Sequence, residues 1–185
     1  MKTVFVLFDS LNRSAISPYA GDAVNTPNFD RLARRGVTFD RHYVGSMPCM
    51  PARRDMHTGR VNFLHRNWGP LEPFDNSLPQ ILRSGGAYAH IITDHYHYFH
   101  DGGATYHNRF SSWEGVRGQS TDDWKAVVEP PLDAFARDYH RAQQRPFTLH
   151  DKINRLYVKD EADFTCPQVF GLANEFLDTN GRARN

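Results

Sequence analysis

The first apolar segment of the chain is a short run without polar alternation. Residues 3–8 read Thr-Val-Phe-Val-Leu-Phe, and the run stops at Asp9. β-Branched and aromatic residues in such a run predict a strand buried on both faces, as in a parallel sheet. Because ligand sites in open α/β sheets lie at the carboxyl ends of strands, Asp9 is a candidate functional residue. The alternative is that Asp9 caps the turn that follows.

The segments that follow alternate between helical and strand patterns with short connections. Thr26 and Pro27 are typical of the start of a helix, and Gly36 marks its end. The predicted elements up to residue 93 are a strand over 3–8, a helix from 27, a strand over 37–44, helices from 51 to 59 and from 79 to 82, and a strand over 87–93. This order predicts an α/β fold with a layered mixed or parallel sheet flanked by helices.

The second half of the chain gives weaker signals. Residues 100–119 are rich in Gly, Ser, Asn and aromatic residues, which predicts a long functional loop. Residues 122–144 are mostly helical in composition, and residues 166–179 predict a terminal helix with one apolar face. We find no convincing strand after residue 93, although a layered sheet needs more. We expect one domain over residues 1–185.

Charge and cysteine content exclude several function classes. The 185 residues carry 22 Lys+Arg against 21 Asp+Glu, a formal charge of +1, which leaves no basic field for nucleic acid. The run at residues 3–8 is too short for a signal-peptide core or a membrane span, so no membrane partner is expected. Two cysteines, Cys49 and Cys166, cannot form a disulfide framework. We therefore expect a cytoplasmic protein, and the sequence does not predict its oligomeric state.

The segment 47–60, Met-Pro-Cys-Met-Pro-Ala-Arg-Arg-Asp-Met-His-Thr-Gly-Arg, concentrates the chemistry. Cys49 stands just ahead of a helix that Pro51 can begin, where free N–H groups favour an anion or a thiolate. Arg53 follows one turn later and can point back to the same end. This spacing predicts an anion-binding pocket with a reactive sulfur. The alternative is that Cys49 is a small buried apolar residue and Arg53 lies on the surface. We expect Asp55 and His57 to serve in local capping and solvent contact.

The pattern Cys49, Pro51, Arg53 followed by Thr58 and Gly59 resembles the C-x-P-x-R…T-G signature of the sulfatase family, in the alkaline-phosphatase-like superfamily. Residues 26–40 look like the family's next helix and strand. The resemblance covers most of residues 1–128, with 129–185 as a helical extension. The family's C-terminal catalytic portion, with a second pair of metal ligands and a lysine, has no counterpart, so the chain looks truncated. The resemblance implies that a maturation enzyme oxidises Cys49 to formylglycine, whose hydrated aldehyde is the nucleophile.

A second motif supports this resemblance. Residues 87–97 are similar to the family's G-Y-x-T-x-x-x-G-K-W-H stretch, with His95 at the lysine position and His97 at the histidine position. Alternation along an extended segment would put both imidazoles on one side. The resemblance implies that they bind substrate oxygens or move a proton. Two alternatives remain: loop histidines on an aromatic surface, or a transition-metal site formed by His95, His97 and His100.

The resemblance also implies a divalent cation held by Asp9 and the formylglycine from Cys49. Oxygen ligands favour Ca²⁺ first, with Mg²⁺ or Mn²⁺ as alternatives. Two ligands are few for such an ion, so we expect weak metal binding and poor catalysis by this chain alone. The implied function is sulfuric ester hydrolysis on a small sulfated or phosphorylated substrate. Sulfatases commonly have two adjacent aspartates where this chain has Asp9 and Ser10. A phosphonate monoester or phosphodiester hydrolase, or a non-catalytic anion-binding fragment, is therefore the alternative.

Overall fold

The fold is taken from a computed structural model, which describes residues 2–19, 21–101, 103, 105–145 and 148–183. Within these ranges there are six α-helices and two β-strands. In chain order they are α1 (Pro27–Ala33), α2 (Cys49–Thr58), α3 (Leu78–Ser84), β1 (His90–Thr93), β2 (Ser112–Gly115), α4 (Leu132–Asp138), α5 (Leu149–Arg155) and α6 (Thr165–Asn180). Short 3₁₀ turns connect several of them.

The helices predicted from local signals are confirmed. Helix α1 follows Thr26 with Pro27 in its first turn, because proline is pre-organised for that position. Helix α2 begins at Cys49, two residues earlier than predicted, and ends before Gly59, whose φ of +67° lies in the left-handed region that favours glycine. Helices α3 and α6 also lie where the sequence predicts them.

The sheet consists of two parallel strands among the residues described. β1 pairs with β2 in a register that sets His90 opposite Ser112 and Thr93 opposite Gly115. The mixed α/β class is therefore confirmed, and the sheet is small. β2 lies inside residues 100–119, so the prediction of one long loop there, and of no strand after residue 93, was wrong. β1 is also shorter than the predicted strand over 87–93.

Two predicted strands are not formed. Residues 3–8 and 37–44 have no strand pairing in the described parts of the chain, and their apolar side chains are exposed. Phe5 is 74% exposed and Val37 is 81% exposed, so burial on both faces was a wrong expectation for this structure. The physical reason is that a strand requires a hydrogen-bonded neighbour, and no backbone hydrogen bond joins either run to another described segment.

The region after residue 121 is less helical than predicted. Of residues 122–144, only α4 and a 3₁₀ turn at Arg141–Gln143 are helical, because Pro130 and Pro131 break the backbone ahead of α4. Helix α5 was not predicted. No helix within the described ranges is long and apolar enough to cross a membrane.

A small aromatic core fixes the position of α2. Met50 and Tyr106 are fully buried, and they pack with Leu71 and Tyr98. The Tyr106 hydroxyl donates a hydrogen bond to the Gly69 carbonyl at 3.1 Å. Because Met50 is the second residue of α2, this packing holds the start of that helix against the segment that follows β1.

Candidate active site at the start of helix α2

Arg53 connects the start of α2 to the end of the first apolar run. Its Nη1 donates to the Cys49 carbonyl at 3.2 Å, and its Nη2 donates to Asp9 Oδ2 at 3.0 Å. Arg53 is 7% exposed, which excludes the alternative of a surface arginine. Asp9 itself is bonded by the Ser10 hydroxyl at 3.0 Å. The structure therefore brings Asp9, Cys49 and Arg53 together, although residues 3–8 form no strand.

His95 completes this cluster. It directly precedes the 3₁₀ turn Tyr96–Tyr98, and its Nδ1 lies 3.4 Å from Asp9 Oδ2. Burial and the nearby positive charge of Arg53 lower the pKa of His95 to about 3, and the opposing effect of Asp9 is smaller. The imidazole is therefore neutral at pH 7. Ligand atoms of Asp9, Cys49 and His95 all lie within 4.8 Å of one another.

His97 lies beside this cluster, but strand alternation is not the reason for its position. The chain turns after β1 instead of continuing as an extended strand, so alternation was the wrong reason for placing His95 and His97 together. Their ring centroids are 5.2 Å apart, and the His97 ring is 4.7 Å from Trp68. Burial, His100 and Arg53 lower the pKa of His97, so it too is neutral at pH 7.

The alternative of a transition-metal site formed by three histidines is not supported. His97 and His100 have ring centroids 5.5 Å apart. Among the described residues, however, the group of three with converging metal-ligand atoms is Asp9, Cys49 and His95. His100 contributes to an aromatic wall with Tyr96 instead.

The thiol of Cys49 is not activated in this arrangement. Burial and the carboxylate of Asp9 raise the pKa of Cys49, and they outweigh the lowering effects of Arg53 and of the helix backbone. The expectation that the helix start favours a thiolate was therefore wrong for this site. At pH 7 Cys49 is a neutral thiol, which makes it a poor nucleophile as it stands.

A buried polar network that the sequence did not predict supports α2 from its other side. Arg54 forms two hydrogen bonds to Asp75, at 2.9 Å and 2.6 Å, and a third to Asn62. His57 is hydrogen-bonded to Ser77 at 3.0 Å and is 8% exposed, so its expected contact with solvent was wrong. No local sequence pattern indicated either Arg54 or Asp75 as a member of this network.

A cysteine, an arginine and a carboxylate that meet at a helix start in an α/β chain define a class of oxyanion-binding sites. Comparison of the sequence with models of known protein families identifies the family. A family model described as Sulfatase matches residues 2–160, and the chain belongs to the sulfatase family.

Several named proteins that are similar to the chain support this assignment. N-acetylgalactosamine-6-sulfatase of Rattus norvegicus is 24% identical over 87% of this chain, and N-acetylglucosamine-6-O-sulfatase of Bacteroides thetaiotaomicron is 29% identical over 45% of it. The multifunctional alkaline phosphatase superfamily protein PehA of Trinickia caryophylli is 41% identical over 34% of the chain. The chain spans 35%, 15% and 13% of these three relatives, respectively. No solved structure matches the chain.

Proposed function

We propose that this chain carries the nucleophile of a sulfuric ester hydrolase, with formylglycine made from Cys49 as the reacting group. The observation that carries the proposal is the position of Cys49 as the first residue of α2, with Arg53 bound both to its carbonyl and to Asp9. Family membership and the names of the sulfatase relatives support the same activity.

The neutral state of the Cys49 thiol is consistent with its conversion to a different nucleophile. A thiol with a raised pKa is a weak nucleophile, whereas a hydrated aldehyde offers a hydroxyl at the same position. The Cβ–S bond of Cys49 breaks and a C=O bond forms: R–CH₂–SH and water give R–CHO and H₂S, with the release of two protons and two electrons. A two-electron oxidant such as molecular oxygen, supplied with the maturation enzyme, accepts them. That enzyme is therefore the partner that the proposal requires.

The side chains around Cys49 have separate tasks in ester cleavage. Arg53 donates hydrogen bonds to oxygens of the sulfuryl group and offsets the charge that develops on them. The free N–H groups at the start of α2 act in the same direction. His95, whose pKa is about 3, is too weak a base to take a proton at pH 7, so its neutral ring binds an ester oxygen through its N–H group. His97 is also neutral at pH 7 and is the group that accepts the proton released by the attacking hydroxyl. The same imidazole returns a proton to the leaving alkoxide.

The ligand atoms of this cluster are of a type that can bind a hard divalent cation. Asp9 and the hydroxyl of a converted Cys49 are oxygen ligands, and both ring nitrogens of His95 are buried with no hydrogen-bond partner among the described residues. Ca²⁺ is the preferred ion, with Mg²⁺ or Mn²⁺ as alternatives. When bound, it supplies positive charge against the ester oxygens. Two oxygen ligands are few for a six-coordinate ion, so we expect weak metal binding and slow turnover by the 185-residue chain.

A second candidate is hydrolysis of phosphonate monoesters or phosphodiesters. The relative PehA, whose name calls it a multifunctional protein of the alkaline phosphatase superfamily, matches 66 residues of the chain, and this supports a phosphoryl ester as an alternative substrate. The Asp9–Ser10 pair also favours it, because Ser10 stands where sulfatases commonly carry a second aspartate and its hydroxyl is bonded to Asp9. If neither reaction occurs, a non-catalytic anion-binding role is what this site supports.

One experiment separates these functions. The chain is co-expressed with a formylglycine-generating enzyme, intact-mass analysis tests for the conversion of Cys49, and a chromogenic aryl sulfate and the matching phosphodiester are then offered with Ca²⁺. Sulfate release that is lost in Cys49→Ala and retained in Cys166→Ala supports the sulfatase. Phosphodiester cleavage with the same dependence supports the second candidate. Activity that survives in Cys49→Ala overturns the assignment of the nucleophile. Binding of inorganic sulfate that is lost in Arg53→Met, without turnover of either ester, supports the anion-binding role.

A further inference from the structure

The unconverted form of the site has a ligand chemistry of its own. A thiol sulfur, a carboxylate oxygen and an imidazole nitrogen converge, with Cys49, Asp9 and His95 as their sources. Sulfur, nitrogen and oxygen donors in one group are typical of zinc sites, whereas Ca²⁺ and Mg²⁺ take oxygen ligands. We propose that the chain with Cys49 as a thiol binds one Zn²⁺ through Cys49 Sγ, an Asp9 carboxylate oxygen and a ring nitrogen of His95.

The distances agree with a tetrahedral ion. Zinc bonds of roughly 2.0 Å to nitrogen and oxygen and about 2.3 Å to sulfur place neighbouring ligand atoms roughly 3.3–3.7 Å apart. His95 Nδ1 and Asp9 Oδ2 are 3.4 Å apart, inside that range. The Cys49 sulfur lies within 4.8 Å of both partners.

The unsatisfied ring of His95 is an independent indication of a ligand. The residue is 4% exposed, and neither ring nitrogen has a hydrogen-bond partner among the residues described. A buried polar atom without a partner costs free energy, about 1–3 kcal/mol in proteins. His95 Nδ1 lies 3.4 Å from Asp9 Oδ2 and forms no hydrogen bond with it. A cation between the two residues would give this nitrogen a partner.

The surrounding charges permit the ion. Asp9 and a deprotonated Cys49 together carry two negative charges against the two positive charges of Zn²⁺. Arg53 remains on Asp9 Oδ2 at 3.0 Å, where the carboxylate can serve the guanidinium and the ion together. Zinc replaces the thiol proton, which leaves to solvent, and no electron is transferred. Three protein ligands leave a fourth position for water. The folded, unconverted chain is thus a zinc-binding form in which Cys49 is not available as a free thiol.

The test uses the 185-residue chain purified without a maturation enzyme. Titration with Co²⁺, a spectroscopic substitute for Zn²⁺, is expected to give about one ion per chain and a thiolate-to-metal charge-transfer band. The band should disappear in Cys49→Ser and persist in Cys166→Ser, because Cys166 lies elsewhere on the surface. His95→Ala should weaken Zn²⁺ binding at least about 100-fold, since loss of a ligand costs more than loss of an outer partner. The control His150→Ala, at a partly buried histidine paired with Asp123, should bind as the parent does.

A measurement on the parent chain does not depend on the folding of any variant. Zn²⁺ should slow alkylation of Cys49 while Cys166 in the same molecule reacts at its usual rate. Bound Zn²⁺ with no protection of Cys49, or bound Co²⁺ with no thiolate band, would show that the ion sits on other histidines and would overturn the proposal. Because these measurements concern the thiol, their failure leaves the hydrolase proposal intact, and failure of that proposal leaves the zinc site intact.

Discussion

Arg53 and Asp9 form an ion pair across 44 positions of sequence, with Nη2 and Oδ2 3.0 Å apart. The arginine side chain is 8% exposed and the aspartate side chain 26%, so the guanidinium is buried while the carboxylate is partly open to solvent. This contact joins the start of α2 to the end of the first apolar run. It places a carboxylate, a guanidinium and Cys49 in one cluster.

Removal of this guanidinium should abolish most of the ester cleavage that we propose. In the converted protein, Arg53→Met should lower kcat/KM for the sulfate ester by at least about 100-fold, the usual cost of losing one donor to a developing oxyanion. The effect is measured from initial rates beside Arg137→Met, which breaks an exposed pair with Asp138. The control should keep the parent kcat/KM. An unchanged kcat/KM in Arg53→Met would remove Arg53 from the proposed mechanism.

Local signals explain which parts of the fold could be predicted. Pro27 and Gly59 mark helix ends through their own backbone restrictions, and the structure places helix boundaries beside both. β2 could not be found in the same way, because Ser-Trp-Glu-Gly is weak as a strand and becomes one only by pairing with β1. Residues 3–8 show the reverse case. Their composition predicts a strand, but pairing depends on a neighbour that local sequence does not specify.

The contacts of the candidate site were also only partly predictable from the sequence. Cys49 and Arg53 share one helical turn, so spacing alone predicts their proximity. The contact between Arg53 and Asp9 depends on the tertiary fold, and the only local indication of it is the position of Asp9 after an apolar run. The contact between Arg54 and Asp75 had no sequence signal, because a charged residue 21 positions away cannot be told from the other charged residues.

The buried pair of Arg54 and Asp75 should dominate the stability of the α2 region. Both side chains are nearly inaccessible, at 4% and 0% exposure. Asp75→Ala leaves the guanidinium buried without its partner, so the free energy of unfolding should fall by about 3–5 kcal/mol. The matched control Asp138→Ala removes an exposed partner of Arg137 and should cost less than about 1 kcal/mol. Urea unfolding measures both, and equal small losses would contradict the buried role.

Acid should weaken the fold partly through His57. Burial, then the charges of Arg109 and Arg53, lowers the pKa of His57 from 6.5 to about 4. The unfolded chain therefore takes up a proton near pH 6.5 while the folded chain does not, so stability is lost as pH falls from about 6.5 towards 4. The lost stability is of order 3 kcal/mol for this histidine.

The His57→Gln variant isolates this contribution. His95, His97 and His107 also have lowered pKa values, so the parent alone cannot assign the effect. The difference in unfolding free energy between parent and variant, followed by urea unfolding from pH 7.5 to 4.5, should shrink as pH falls. A constant difference over that range would show that His57 titrates normally in the folded state.

Two glycines should respond to alanine with opposite sign. Gly59 ends α2 at a φ of +67°, a conformation that an alanine side chain disfavours, so Gly59→Ala should lower the free energy of unfolding by about 1 kcal/mol. Gly171 lies inside α6, and a Cβ there would meet nothing within 4 Å. Gly171→Ala should therefore raise stability by about 0.5–1 kcal/mol, since glycine costs that much in a helix interior. The same urea series measures both variants. Stabilisation by Gly59→Ala would mean that α2 does not end in a left-handed turn at Gly59.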